Sequence, residues 1–192
     1  MNEKLLDGLI VYEPKIFYDN RGYFYESYNA KKYKDLGIDA EFVQDNESMS
    51  KAMTIRGLHW QAGDFAQSKL VRVVKGAVID FVLDIRKSSD TFGKMEFVFI
   101  STSNKVQFYV PKGFAHGFIA LEPDTIFSYK CDNYYNKESE RGVNMLDPAL
   151  ELEKNLNEYI AKIGSYKINF EKIVISDKDK LHPNLKDAID LF

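Results

Sequence analysis

The sequence predicts an all-β fold, a sandwich or barrel of short strands, and three observations lead there. Between residues 41 and 131, short apolar runs are broken by turn residues at intervals of about ten. No strand–helix–strand alternation and no internal repeat interrupts that rhythm. Aromatic residues are abundant for 192 positions, with fourteen Phe, twelve Tyr and one Trp, and such side chains suit pleated surfaces. The chain is long enough for one large domain, residues 1–192, and its core needs no covalent staples.

In chain order, the first expected strands are 8–13 and 23–28, with Asp19-Asn20-Arg21-Gly22 as a turn between them. Residues 29–37 read as one short helix ending at Gly37. The runs EFVQDNESMS, TIRGLHWQ, SKLVRVVKG, AVIDFVLDIRK, MEFVFISTS, VQFYVPKG, FAHGFIALE and TIFSYKCD then follow one another as strands. Lys75-Gly76, Lys87-Ser88-Ser89-Asp90, Ser103-Asn104 and Pro111-Lys112-Gly113 punctuate them. A surface helix is expected next, with Pro148 at its first position, Leu152, Leu156, Tyr159, Ile160 and Ile163 at helical spacing, and Gly164 as its stop. YKINFEKIVIS returns to a strand pattern, and the tail reads as a loop and a short terminal helix.

Composition excludes several functions. A net charge of −3 leaves no basic excess to neutralise a nucleic-acid backbone. Cys131 is the sole cysteine, so no internal disulfide can form, and its strand-like setting reads as a small buried hydrophobe. No apolar run approaches the roughly 20 residues of a membrane span. Charges within the first seven residues argue against a secretory leader, and a cytoplasmic protein is expected.

Strand parity locates the unusual polar residues. Side chains alternate between faces, so Lys69 shares a face with Val71 and Val73, Asp80 with Val78 and Val82, and Tyr129 with Phe127 and Cys131. Any one of these strands alone reads as half wet. Three strands with the same anomaly point to a polar site inside a barrel, where Lys69 and Asp80 would form a desolvated ion pair.

VPKGFAHGF contains Pro111-x-Gly113-x-x-His116, the core of the second motif of cupin jelly rolls. Many cupins hold a metal with two histidines and a glutamate from their first motif. Here that place reads His59-Trp60-Gln61, and no glutamate follows in AGDFAQ. His59 and His116 can supply two ligands where a catalytic site usually wants three. The third histidine, His182, lies in the tail. A hydrogen-bonded structural role for His116 is the plainer alternative.

Longer stretches carry a more specific resemblance. DNRGYFYES (19–27), FVQDNESMS (42–50), IRGLHWQ (55–61), AQSKLVRVVKGAVIDFVLDIRKSSDTFG (66–93), YVPKGFAHGF (109–118), YKCDNYYNKESERGV (129–143), DPAL (147–150) and SDKDK (176–180) run in family order across nearly the whole chain. The chain resembles the dTDP-4-dehydrorhamnose 3,5-epimerases, metal-independent cupins acting on a nucleotide-linked 4-keto-6-deoxy sugar. The fold this implies is a cupin-type jelly-roll barrel with a few short peripheral helices.

By that resemblance, His59 matches the general base and Asp179 its carboxylate partner, with Asp177 the competitor in register. Lys69 matches the cation beside the C4 oxygen, Asp80 the carboxylate near it, and Tyr129 the acid on the opposite face of the sugar. Arg56 and His116 match residues lining the site. Arg21, Phe24, Glu26, Gln44, Asn46 and Tyr135 match positions that hold the nucleotide and its diphosphate. The family implies no cofactor and no metal, and a homodimer that exchanges N-terminal strands, so that some of these residues reach a partner's site.

The chemistry is coherent with that set. A proton beside a ketone is far too weakly acidic for an unaided imidazole, whose ordinary pKa is about 6.5. A preorganised cation must stabilise the enolate, and an acid on the other face completes the inversion. The chain departs from the family where AGDF replaces a Pro-Pro pair and where Met145 stands in place of a common Trp. The segment around 147–165 reads as a helical insertion. Alternatives are an epimerase inverting one carbon only, one acting on another nucleotide-linked 4-keto sugar such as a GDP-heptose, and a non-catalytic sugar-nucleotide-binding cupin. A 3,4-ketoisomerase and a metal-dependent oxygenase fit the motifs less well.

Overall fold

The structure, a computed structural model, describes residues 5–192. Glu3 and Lys4, part of the charged N-terminal stretch, lie outside the described residues. The chain begins with β1 (Ile10–Tyr12), β2 (Phe17–Asp19), β3 (Gly22–Phe24) and helix α1 (Ala30–Asp35). The barrel strands follow: β4 (Gln44–Ser50), β5 (Thr54–Gln61), β6 (Lys69–Lys75), β7 (Ala77–Asp84), β8 (Met95–Ser101), β9 (Gln107–Val110), β10 (Phe114–Ala120) and β11 (Thr125–Cys131). After them come β12 (Glu140–Gly142), helix α2 (Leu152–Ile163), β13 (Val174–Ile175) and helix α3 (Asp177–Lys180).

One sheet has the order β1-β9-β6-β11-β4, and the other β12-β5-β10-β7-β8 with β13 parallel to β5. They face each other as the expected jelly roll. Alternation sets what lies between them, and the parity pattern holds. Val71, Val73, Val78, Val82, Phe108, Phe118 and Phe127 pack in the interior, with Tyr129 against them. The opposite parity, Ile79, Phe81 and Leu83, packs outward beneath α2. Leu152, Leu156 and Ile160 recur every four residues and seal that outer layer. Each fully buried side chain of this kind contributes about 1.5–3 kcal/mol. A third cluster, Tyr33, Ile38 and Leu70, seats α1 on the other sheet.

α1 lies where the sequence placed it: the Asn29 side chain accepts from Lys32 N at 3.2 Å, and Gly37 follows with φ 91°. Three expectations change. The strand at 23–28 reaches only Phe24, and the turn at Asp19–Gly22 closes a separate β2–β3 hairpin. Pro148 opens a 3-10 turn rather than α2, because Glu151 in a left-handed conformation (φ 44°) separates the two. YKINFEKIVIS pairs only at Val174 and Ile175. β12 already occupies β5 at 59–61, which leaves the Thr54–Ile55 end of that strand open.

Candidate active site

The pairing of β5 with β10 carries one extra residue. His116 faces His59 and Phe118 faces Arg56, so three steps on β5 oppose two on β10. Such a bulge resets which face the side chains take. Arg56 and His59 would otherwise point to opposite faces, yet both line one cavity. Gly57 makes this possible. Its φ is 104°, and a Cβ there would lie 2.4 Å from the His116 carbonyl oxygen.

That cavity has a volume of about 470 Å³ and is lined by Arg56, His59, Lys69, His116, Tyr129 and Asp179 among others. A second cavity of about 310 Å³ shares His59, Lys69 and Tyr129 and adds Gln44, Asn46, Tyr135 and Glu140. A larger cavity of about 850 Å³ lies beside α2, with Met145, Leu152 and Phe170 in its wall and no histidine. It is roomier and lined by Asp147, Glu151 and Glu153, but His59, Lys69 and Tyr129 all gather at the first two.

His59 Nε2 stands 2.7 Å from Asp179 Oδ1. The β13–β5 pairing brings the C-terminal segment here, and α3 then presents Asp179, capped by Ser176, whose Oγ accepts from Asp179 N at 3.1 Å. Burial works against the Asp179 carboxylate, but the hydrogen bond and charge of His59 hold it below its ordinary range. The competitor Asp177 faces solvent and pairs with Lys180. A carboxylate on Nε2–H fixes the tautomer that leaves Nδ1 with its lone pair free.

Lys69 makes no hydrogen bond or ion pair among the described residues, and its Nζ lies 6.0 Å from the Tyr129 ring centroid. Burial lowers its proton affinity, while Cys131, Asp80 and Glu140 nearby raise it. Asp80 corrects an expectation. It is fully buried, and its carboxylate meets His116 Nε2 at 2.8 and 2.9 Å rather than the lysine. The reason is register: His116 pairs with Val82, two residues from Asp80 on the same face of β7. Lys69 lies in the opposite sheet and feels Asp80 only through space. The hydrogen-bonded role weighed for His116 is the one it takes.

Tyr129 is raised to about 12 by burial, then by Cys131, with Arg56 opposing. It therefore keeps its proton at neutral pH. Cys131 is buried as expected, and burial pushes its thiol up to about 11. Arg56 donates to Ser50 Oγ and the Met49 carbonyl, both at 3.0 Å.

Gln44, Asn46 and Tyr135 gather at the second cavity. Gln44 Nε2 donates to Asn46 Oδ1 at 3.0 Å, and its Oε1 accepts from Tyr135 N at 3.1 Å. Arg21, Phe24 and Glu26 line neither cavity. Arg21 pairs with Asp19 on the hairpin, Phe24 is exposed, and Glu26 pairs with Lys32. Sequence reasoning missed Glu140, which accepts from Tyr135 at 2.8 Å and pairs with Lys178 at 2.6 Å. It also missed His182, whose ring centroid lies 5.4 Å from that of His59. The spacing Asp179-x-x-His182 was its signal, since residues three apart on a helical turn share a face. The grouping suited to a metal is accordingly His59, Asp179 and His182, not His59 with His116.

A jelly roll that encloses a carboxylate-held imidazole, a buried lysine amine and a protonated phenol fits a sugar-isomerising cupin. The model of the family described as dTDP-4-dehydrorhamnose 3,5-epimerase matches residues 3–187, and the chain belongs to that family. It is 44% identical to the dTDP-4-dehydrorhamnose 3,5-epimerase of Shigella flexneri, covering 90% of this chain and 94% of that one. A crystal structure of the enzyme from Elizabethkingia anophelis superposes with a TM-score of 0.84 at 45% identity, covering 96% and 95% of the two chains. A second, from Legionella pneumophila in complex with dTDP-4-keto-L-rhamnose, has a TM-score of 0.84 at 43% identity, covering 95% and 90%.

Proposed function

We propose that the protein is a carbohydrate epimerase that converts dTDP-4-dehydro-6-deoxy-D-glucose to dTDP-4-dehydro-L-rhamnose by inverting C3 and C5. The observation that carries this reading is the His59–Asp179 pair at 2.7 Å in one cavity with Lys69 and Tyr129. Family membership and the named relatives support the substrate.

His59 takes the proton from a carbon beside the C4 ketone, and the C–H electron pair moves into the enolate. Lys69 stabilises the oxygen where charge develops, in a site where water competes poorly. Asp179 stabilises the imidazolium that results. Tyr129 returns a proton from the opposite face, which inverts the centre. C3 and C5 both flank the same carbonyl, so one cation serves both enolates. Their hydrogens lie on the same face of the substrate ring, so one base reaches both. Gln44, Asn46, Arg56 and Tyr135 hold the nucleotide end, and Asp80 with His116 braces the floor of the site.

The working unit in this reading is a homodimer. β4 is an open sheet edge, and the hairpin exposes Phe17, Tyr18, Tyr23 and Phe24. Exposed apolar side chains so grouped suit a protein partner. Arg21, Phe24 and Glu26 would then complete the nucleotide side of the partner's cavity. Among the described residues no helix is long and apolar enough to cross a membrane, and the cytoplasm is the compartment this reading assigns.

The test is incubation of dTDP-4-keto-6-deoxyglucose with the protein in D₂O, followed by NMR. Deuterium at C3 and C5 with the L-rhamnose configuration is expected. Exchange at one carbon would assign a single-carbon epimerase, and exchange at neither would overturn the reading.

A further inference from the structure

We infer that His59, Asp179 and His182 form a tripod for a borderline transition-metal ion such as Zn²⁺, and that the ion inhibits the enzyme by taking its base. The inhibitory half rests on the role proposed above for His59, whereas the binding half rests on geometry alone.

The nitrogen and oxygen atoms that these three residues offer lie within 4.8 Å of one another. Two imidazoles and a carboxylate are a ligand set that zinc accepts, with a fourth position left for water. At ordinary bond lengths, ligand atoms around tetrahedral zinc stand about 3.3 Å apart. Here His59 Nε2 to Asp179 Oδ1 is 2.7 Å and His182 Nε2 to Asp179 Oδ1 is 3.9 Å. The first pair opens and the second closes by about half an ångström, and the two imidazole nitrogens, which lie within 4.8 Å of each other, draw together by side-chain rotation.

His182 is held in this position by its surroundings. Its Nε2 is buried with no hydrogen-bond partner, a state that costs stability when left unmet. The ring lies over Gly142, where a Cβ would come within 2.5 Å of it. The Pro183 carbonyl accepts from Asn144 N at 2.8 Å and fixes the adjoining backbone. A buried imidazole nitrogen 3.9 Å from the carboxylate that meets His59 is placed to serve as a third ligand.

The ion takes the Nε2 lone pair of His59, so the ring's single proton moves to Nδ1, the nitrogen that serves as the base, while the carboxylate turns to the ion. An Nδ1 that already holds a proton cannot accept another, and proton abstraction stops.

Tag-free, EDTA-treated protein titrated calorimetrically with ZnCl₂ should bind one equivalent. Zinc should suppress deuterium exchange at the sugar over the same concentration range, and EDTA should restore it. H182Q should bind zinc more than about tenfold more weakly, and its exchange rate, referred to its own zinc-free value, should resist zinc equally. Should that variant fold poorly, nitrogen NMR of the wild type reads the same point: the imidazoles of His59 and His182 must both shift with zinc. No saturable binding, a variant that binds as tightly as the wild type, or shifts confined to other residues would each overturn the site. Exchange absent even without zinc would count against the epimerase reading and leave the calorimetry as the judge of the tripod.

Discussion

His59 and Asp179 are 120 positions apart in the chain and 2.7 Å apart in the fold. D179N preserves the shape but reverses the hydrogen bond, so the imidazole presents its N–H where the lone pair is needed. We expect its kcat to fall by about 10²–10⁴-fold, with KM nearly unchanged. H59A should abolish deuterium exchange at both carbons together. Survival of exchange at either carbon in H59A would mean that a second base exists.

In the proposed reaction Lys69 is the cation that meets the enolate oxygen. K69M keeps the stem and removes the charge, and kcat should fall about 100- to 1,000-fold. Because the stabilisation develops in the transition state, the loss should lie in kcat rather than KM. A change confined to KM would assign Lys69 to ground-state binding.

Tyr129 separates the two halves of the inversion. Y129F leaves His59 and Lys69 in place, so proton loss to solvent should continue while inverted product falls further. Measuring exchange and epimerisation on one sample gives the ratio directly. An equal decline in both would remove Tyr129 from the role of opposite-face acid.

The bulge at Gly57 is structurally exacting. In G57A the added methyl meets the His116 carbonyl, and the backbone must hold a positive φ. A loss of roughly 2–4 kcal/mol is expected, seen as a melting temperature lower by roughly 10 °C. A melting curve equal to the wild type would show that β5 and β10 can separate there without cost.

Asp84 makes stability depend on acid. Burial raises its proton affinity, but hydrogen bonds from Arg86, Thr91 and Ser89 outweigh that and hold it at about 2 against an ordinary 3.8. A depressed carboxyl stabilises the fold fully above its unfolded value, and the gain disappears as pH falls towards 2. D84N should therefore cost about 2 kcal/mol near neutrality, and its denaturation midpoint should approach that of the wild type below about pH 3. Parallel curves down to pH 2 would contradict the assignment.

The eight runs from β4 to β11 were legible because alternation and turn residues act locally, strand by strand. Lys69, Asp80 and Tyr129 stood out for the same reason, as polar side chains on apolar faces. What parity alone could not supply was pairing across strands. Asp80 sits beside His116 because of the β10–β7 register, which no single strand encodes. Arg56 and His59 share a cavity only through a bulge that breaks the alternation rule itself. The C-terminal segment was read as a longer strand because Tyr166, Ile168, Phe170 and Ile173 alternate with polar residues. They pack instead as a loop against the outer core, a tertiary choice that overrides the local pattern.

The short parallel pairing of β13 with Thr54 and Ile55 gives about the last tenth of the chain a disproportionate hold on the proposed reaction. A ribosome releasing this chain delivers every strand of both barrel walls before the carboxylate that meets the His59 imidazole. In the proposed reaction, competence for turnover thus arrives after the scaffold, and loss of the chain beyond residue 174 would leave His59 without its carboxylate and uncover part of the outer core.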